Sequence, residues 1–239
     1  METTSYLFFS ILDAIAMVVL MIKSYRQPLA AYKWNILFIC IGIACWSYAA
    51  RVVVGLSPYI DILGQFLIFA AFFRYFLKIR LVYSGLMVAV GYAAYVCIQF
   101  PIYFVVTALG VSDVVAQNTG GNEVIVIQFF TDAASLVVGW LITLFNYGFT
   151  FIVIPPHDLS RKERLFTGTN GMLALSTLAT VAMITTSLYL TVHYDAALYA
   201  YPLVLWILGT LYFLSRRRES EDDRIYITKN GAIHKKIRS

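Results

Sequence analysis

Seven apolar blocks, each near or beyond the length that crosses a bilayer, follow one another along this 239-residue chain and leave little sequence outside them. They run over residues 6–22, 34–54, 59–77, 81–109, 124–154, 166–190 and 196–214. A spanning helix takes about 20 residues. Lipid satisfies no backbone N–H or C=O, so a continuous apolar run in a bilayer is helical. A membrane barrel would show short alternating segments instead, and runs such as 136-LVVGWLITLF-145 do not alternate. Composition agrees: 60% of the residues are apolar and 13% charged, against about 25% charged in soluble domains. The expected fold is all-α, a polytopic transmembrane bundle over 1–215 with a basic tail over 216–239. Blocks four and five exceed one span, and Pro101 is placed to break the fourth, so six or eight crossings stay open beside seven.

Positive residues set the expected direction. If the blocks alternate, 17 of the 18 lysines and arginines fall on one side, in the linkers near Lys23, Arg74 and Arg161 and in the tail, and Arg51 falls on the other. Cytoplasmic loops carry the Lys/Arg excess, which puts the amino terminus outside and the tail in the cytoplasm of a plasma-membrane protein. The net charge of +5 then reflects topology and anionic lipid rather than nucleic acid. The start METTSY has no basic n-region, so no cleaved signal peptide is expected.

Several multi-span chemistries lack their residues. The last block holds no lysine for a retinal Schiff base, and His157, His193 and His234 lie outside the blocks, where they are poor haem ligands. There is no HExxH. Cys40, Cys45 and Cys97 have no histidine close in sequence, and buried cysteines mostly serve as small packing residues. No enzyme activity, metal or cofactor is expected.

What stands out is polar residues inside apolar blocks. Asp13, Arg51, Asp61 and Asp132 all fall in the half away from the basic loops. Ionisable groups at such depth usually face a bundle interior or a water-filled cavity, so the four are candidates for a ligand or ion pocket. The plainer reading is an Arg51–Asp61 pair closing the turn between blocks two and three, with Arg51 snorkelling to the interface. Aspartate is too short to snorkel, which favours function for Asp13 and Asp132.

Gly85, Ala89, Ala93 and Cys97 recur every four residues, a small-residue stripe for close helix packing. The sixth block is rich in hydroxyls, which either bond back to their own helix or line a polar path. In the tail, Asn230-Gly231 between two short segments signals a type I′ turn, although an isolated hairpin is marginal in water. Arg161, Lys162 and Arg164 with Arg216, Arg217 and Arg218 are candidates for contact with a cytoplasmic partner.

The region 47–99, with 47-SYAARVVVGLSPYI-60 and 90-VGYAAYVCIQF-100, and the exit 146-NYGFTFIVIPP-156 resemble the multi-span sensor region of peptide-pheromone-sensing histidine kinases of Gram-positive bacteria. That resemblance implies ligand recognition by outer loops and helix ends, with output through a dimeric cytoplasmic kinase. The 24 residues after Ser215 hold neither a dimerisation helix pair nor an ATP-binding domain, and His234 has no phosphoacceptor setting, so kinase activity does not carry over. The expectation is a sensor-like or accessory signalling protein, with a small secondary transporter or a structural membrane subunit as alternatives. Its expected partners are the lipid bilayer, a cytoplasmic signalling protein and a second copy of the chain.

Overall fold

The computed structural model describes residues 3–109, 122–152, 169–194 and 197–237. Among them are seven α-helices and no strand: α1 Thr3–Lys23, α2 Lys33–Tyr48, α3 Pro58–Tyr75, α4 Leu81–Ala108, α5 Asn122–Leu144, α6 Thr169–Tyr194 and α7 Ala197–Ile237. Four spans are long and apolar enough to cross a membrane, namely α1, Leu29–Val53 containing α2, α4, and Ile125–Leu144 of α5. α6 carries a shorter apolar stretch, Gly171–Thr186. This is a helical membrane protein, with Phe8, Phe38, Leu67, Phe129, Trp140, Leu175 and Trp206 exposed on its outer surface where lipid tails take the place of water.

α4 is the central helix. Of its most apolar 18 residues 72% are buried, against 39% in α1 and 28% in α5, and it packs on α1, α3, α5, α6 and α7. Pro101 does not break it. The helix runs unbroken through the proline, which stands exposed on its surface. In lipid a helix tolerates proline where local adjustment satisfies the freed carbonyl.

Missing side chains decide where the helices meet. A methyl on Gly91 of α4 would lie 2.1 Å from Met21 Cγ and 3.2 Å from Met21 Cα on α1, and one on Gly139 of α5 would lie 2.6 Å from Val19 Cγ1. Ala89 and Ala93 of the stripe are fully buried, and a methyl on Gly85 would meet Thr177 Cγ2 of α6 at 3.1 Å. The stripe therefore packs, while the closest backbone approach on α4 occurs at Gly91.

Two ends can be told apart. At one, here the Arg51 end, Tyr6 of α1 bonds Ser47 of α2 at 3.0 Å. At the other, the Lys23 end, α5 stops well short of residue 154, where its apolar block ends. Asn146 takes φ 52° and Gly148 φ 119°, and 149–152 runs back over the α1–α2 connection. Phe149 N–H donates to Ser24 O at 2.9 Å, Arg26 donates to Asn146 O, and the Gln27 amide donates to Ile152 O at 2.6 Å. Tyr25, fully buried, lies against Phe149 and Phe151. A Cβ at Gly148 would sit 2.9 Å from Ser24 O and 3.0 Å from Lys23 O, in a backbone region that side chains avoid. Gly148→Ala is expected to cost about 1–3 kcal/mol in denaturant unfolding of the detergent-solubilised protein.

Two readings of the sequence meet the structure here. The α6 hydroxyls bond to their own helix: Thr177 to Leu173 O, Thr180 to Ser176 O, Thr185 to Val181 O and Thr186 to Ala182 O, at 2.7–2.8 Å. These four thus donate to their own backbone, the first of the two readings of the α6 hydroxyls. The residues around Asn230-Gly231 form no hairpin, because α7 continues through them as one 41-residue helix. Two strands alone bury too little to compete with a helix already nucleated upstream.

Candidate functional site

The site begins with a break in the second span. After Tyr48 the helix widens into a π-turn over Ala49–Val53, a distortion common at functional sites. Gly55, at φ 71°, then turns the chain, and Pro58 opens α3 with its fixed φ suited to a first helical turn. This short return brings Arg51 back over the start of α3.

Asp61 is fully buried there, and three donors converge on its Oδ2. Arg51 Nε forms an ion pair with it, Ser47 Oγ donates at 3.1 Å and Gln65 Nε2 at 3.0 Å. Tyr92 of α4 donates to Gln65 Oε1 at 2.9 Å, and Tyr6 joins through Ser47. Burial of Asp61 is thus offset by a charge-assisted network, as a buried carboxylate requires. Both readings of the Arg51–Asp61 pair meet here, since it closes the α2–α3 turn and also faces the bundle interior.

Asp13 and Asp132 lie deeper. The Tyr95 hydroxyl donates to Asp132 Oδ1 at 2.9 Å, and Asp13 lies near enough to the same tyrosine to act on it electrostatically. Thr131 bonds its own helix at Ile127 O. Asp13, Arg51 and Asp61 lie close enough to influence one another electrostatically. The four residues that the sequence singles out, drawn from α1, the π-turn, α3 and α5, therefore converge on one polar interior. Tyr92, Tyr95, Gln65 and Ser47 belong to it as well and escaped the sequence reading. Their only signal was spacing: Tyr92 and Tyr95 are one turn apart, and Gln65 is one turn after Asp61, in positions that face the same way on a helix.

The network is incomplete. Asp13 Oδ1, Asp61 Oδ1, Asp132 Oδ2 and Ser135 Oγ are buried with no hydrogen-bond partner. Among the described residues no three His, Cys, Asp or Glu side chains gather as a metal site.

The candidate partner-contact residues divide. Arg161, Lys162 and Arg164 lie outside the described residues. The arginines of α7 at the Lys23 end are engaged within the chain. Arg216 donates to Tyr212 at 3.1 Å, Arg217 pairs with Glu221 at 3.5 Å, and Arg218 donates to Tyr83 of α4 at 3.2 Å. Glu219 accepts from both Thr150 N–H and Thr150 Oγ1 at 2.8 Å. The start of the tail is therefore docked on 149–152 and α4, and Arg216 and Arg217 stay exposed.

No protein-family model matches the chain, and neither do the curated proteins or the solved structures to which it was compared.

Proposed function

We propose that this protein is a receptor-like signalling protein with seven spans, its amino terminus outside and α7 carrying the output into the cytoplasm. The observation that carries this reading is the continuity of α7. One helix runs from the bundle, past its docking on Thr150 and Tyr83, to Ile237. A continuous helix passes a shift or rotation at one end to the other. The concentration of positive residues on the Lys23 side supports the orientation, and the resemblance to pheromone-sensor regions supports a ligand met at the Arg51 end.

Truncation after Arg218 is expected to leave the protein inserted in the membrane and to abolish signalling, read as the difference in gene expression between host cells carrying the full chain and cells lacking it. An undiminished response would remove the receptor reading. The alternative is a small secondary transporter, favoured by the incompletely satisfied carboxylates in the bundle. It predicts that the truncated protein, reconstituted in vesicles, still moves solute.

A further inference from the structure

Asp13 and Asp132 pose a proton-counting problem. A tyrosine hydroxyl has one proton to give, and Tyr95 gives it to Asp132 Oδ1 at 2.9 Å. Asp13 also lies near this hydroxyl, whose one proton is already given, and its Oδ1 has no hydrogen-bond partner. An ionised Asp13 would set lone pairs against lone pairs, beside a second buried carboxylate. Neither aspartate is ion-paired among the described residues. The basic group that acts on Asp13 is Arg51, whose guanidinium is committed to Asp61. The other titratable groups facing this point are Asp61 from α3 and Tyr92 from α4.

Three buried atoms around the pair also lack partners: Asp13 Oδ1, Asp132 Oδ2 and Ser135 Oγ. Ser135 is fully buried and lies one turn along α5 from Asp132, on the same face. α1 and α5 run side by side in the same direction. The approach of Val19 to Gly139, carried back along both helices, sets Asp13 level with Asp132. Ala16, fully buried, takes the place on α1 that matches Ser135. Buried charge without a partner is expensive, and more so in a membrane.

We propose that Asp13, Tyr95, Asp132 and Ser135 form a site for one small exchangeable monovalent cation, a proton or a sodium ion, between α1, α4 and α5. The cation lies between the two carboxyl groups, supplies the missing positive charge and relieves the contact between Asp13 and the Tyr95 oxygen. Among the described residues no group of three His, Cys, Asp or Glu side chains gathers here to hold a multivalent ion. Water could bond the orphaned atoms but would leave both charges standing. The site does not depend on the receptor reading, since a receptor and a transporter could equally hold it.

The test uses the full-length protein in lipid nanodiscs, with infrared difference spectra recorded as pH is stepped and as NaCl replaces KCl. A protonated, unhydrated carboxyl has a carbonyl stretch distinct from that of a carboxylate. Its band is expected at neutral pH in KCl. Loss of the band when sodium is added assigns the site to both ions in competition, and loss only on raising pH assigns it to the proton. If sodium already occupies the site at the lowest concentration, the band is absent, but the thermal midpoint rises with sodium and not with potassium. Asp132→Asn is expected to remove the band and the sodium effect. Ser135→Ala is expected to weaken sodium about tenfold, the worth of one polar contact. No carboxyl band at any pH at which the protein stays folded, together with identical midpoints in NaCl and KCl, overturns the proposal. That result needs no variant to fold.

Discussion

Arg51→Met is expected to destabilise the protein by about 3 kcal/mol, the low end of the range for breaking a buried ion pair. The low end applies because the Arg51 side chain is 28% exposed while Asp61 is fully buried. The loss has two parts. The Coulomb attraction goes, and Asp61 is left with only Ser47 and Gln65 to hold its charge away from water. Most of the cost is the second part, since an uncompensated buried charge is what makes such variants unstable. The double variant Arg51→Met/Asp61→Asn should therefore recover much of the stability lost in the single one. Denaturant unfolding of the four members of this cycle in one detergent checks it. A single-variant loss below about 0.5 kcal/mol, the scatter of ordinary surface changes, would show that the pair is not desolvated in the bundle.

Gly91→Val should be comparably damaging for a reason unrelated to charge. A first methyl already lies 2.1 Å from Met21 Cγ and 3.2 Å from the Met21 backbone. Met21 is flexible and could swing its end aside, but the Cα of α1 cannot move without shifting the whole helix. Overpacking of a filled core costs about 1–3 kcal/mol, and a branched side chain at this contact belongs at the top of that range. The control is Gly42→Ala in α2, where an added methyl meets nothing within 4 Å. It should be neutral or stabilise by up to about 1 kcal/mol, the helix preference of alanine over glycine. Equal effects of the two substitutions would mean that α1 and α4 are not in contact at Gly91. The same shift would carry Asp13 away from Tyr95, so Gly91→Val should also disturb the carboxyl band that reports on that pair.

The helices themselves were largely legible beforehand. Lipid leaves a backbone no partner but its own, so an apolar run of sufficient length in this chain could become little else than a helix. Ends were harder. The apolar pattern of 124–154 does not mark where α5 stops, because Phe151 and Ile152 continue the apolar run of the helix before them. The stop lies in Asn146 and Gly148, whose positive φ values are fixed by hydrogen bonds to Ser24 and Arg26 far away in sequence. The Asn230-Gly231 turn signal misled for a related reason. A turn motif acts only when flanking strands have something to pair with, and an established helix upstream already supplied every backbone bond.

The candidate site divides in the same way. Asp13, Arg51, Asp61 and Asp132 announced themselves by cost, since a charge inside an apolar block needs an explanation whatever surrounds it. Tyr92, Tyr95 and Gln65 carry no such penalty in one dimension. Tyrosine is common in membrane helices as an anchor, and only the packing of α4 against α1, α3 and α5 makes Tyr95 a donor to Asp132 and Tyr92 a donor to Gln65, which in turn serves Asp61.

Sequence alone thus determined that the chain is helical, with spans long and apolar enough to cross a membrane, and that four ionisable residues fall within its apolar blocks, because the cost of an unsatisfied backbone or an unpaired charge in lipid is local. Tertiary structure decided which charges meet. Arg51 goes to Asp61 because a π-turn and a short return place them together. Asp13 goes to Asp132 because glycines at 91 and 139 let α1 sink against α4 and α5. Helix register and depth of approach come from side chains that are absent as much as from those present, and no single segment encodes them.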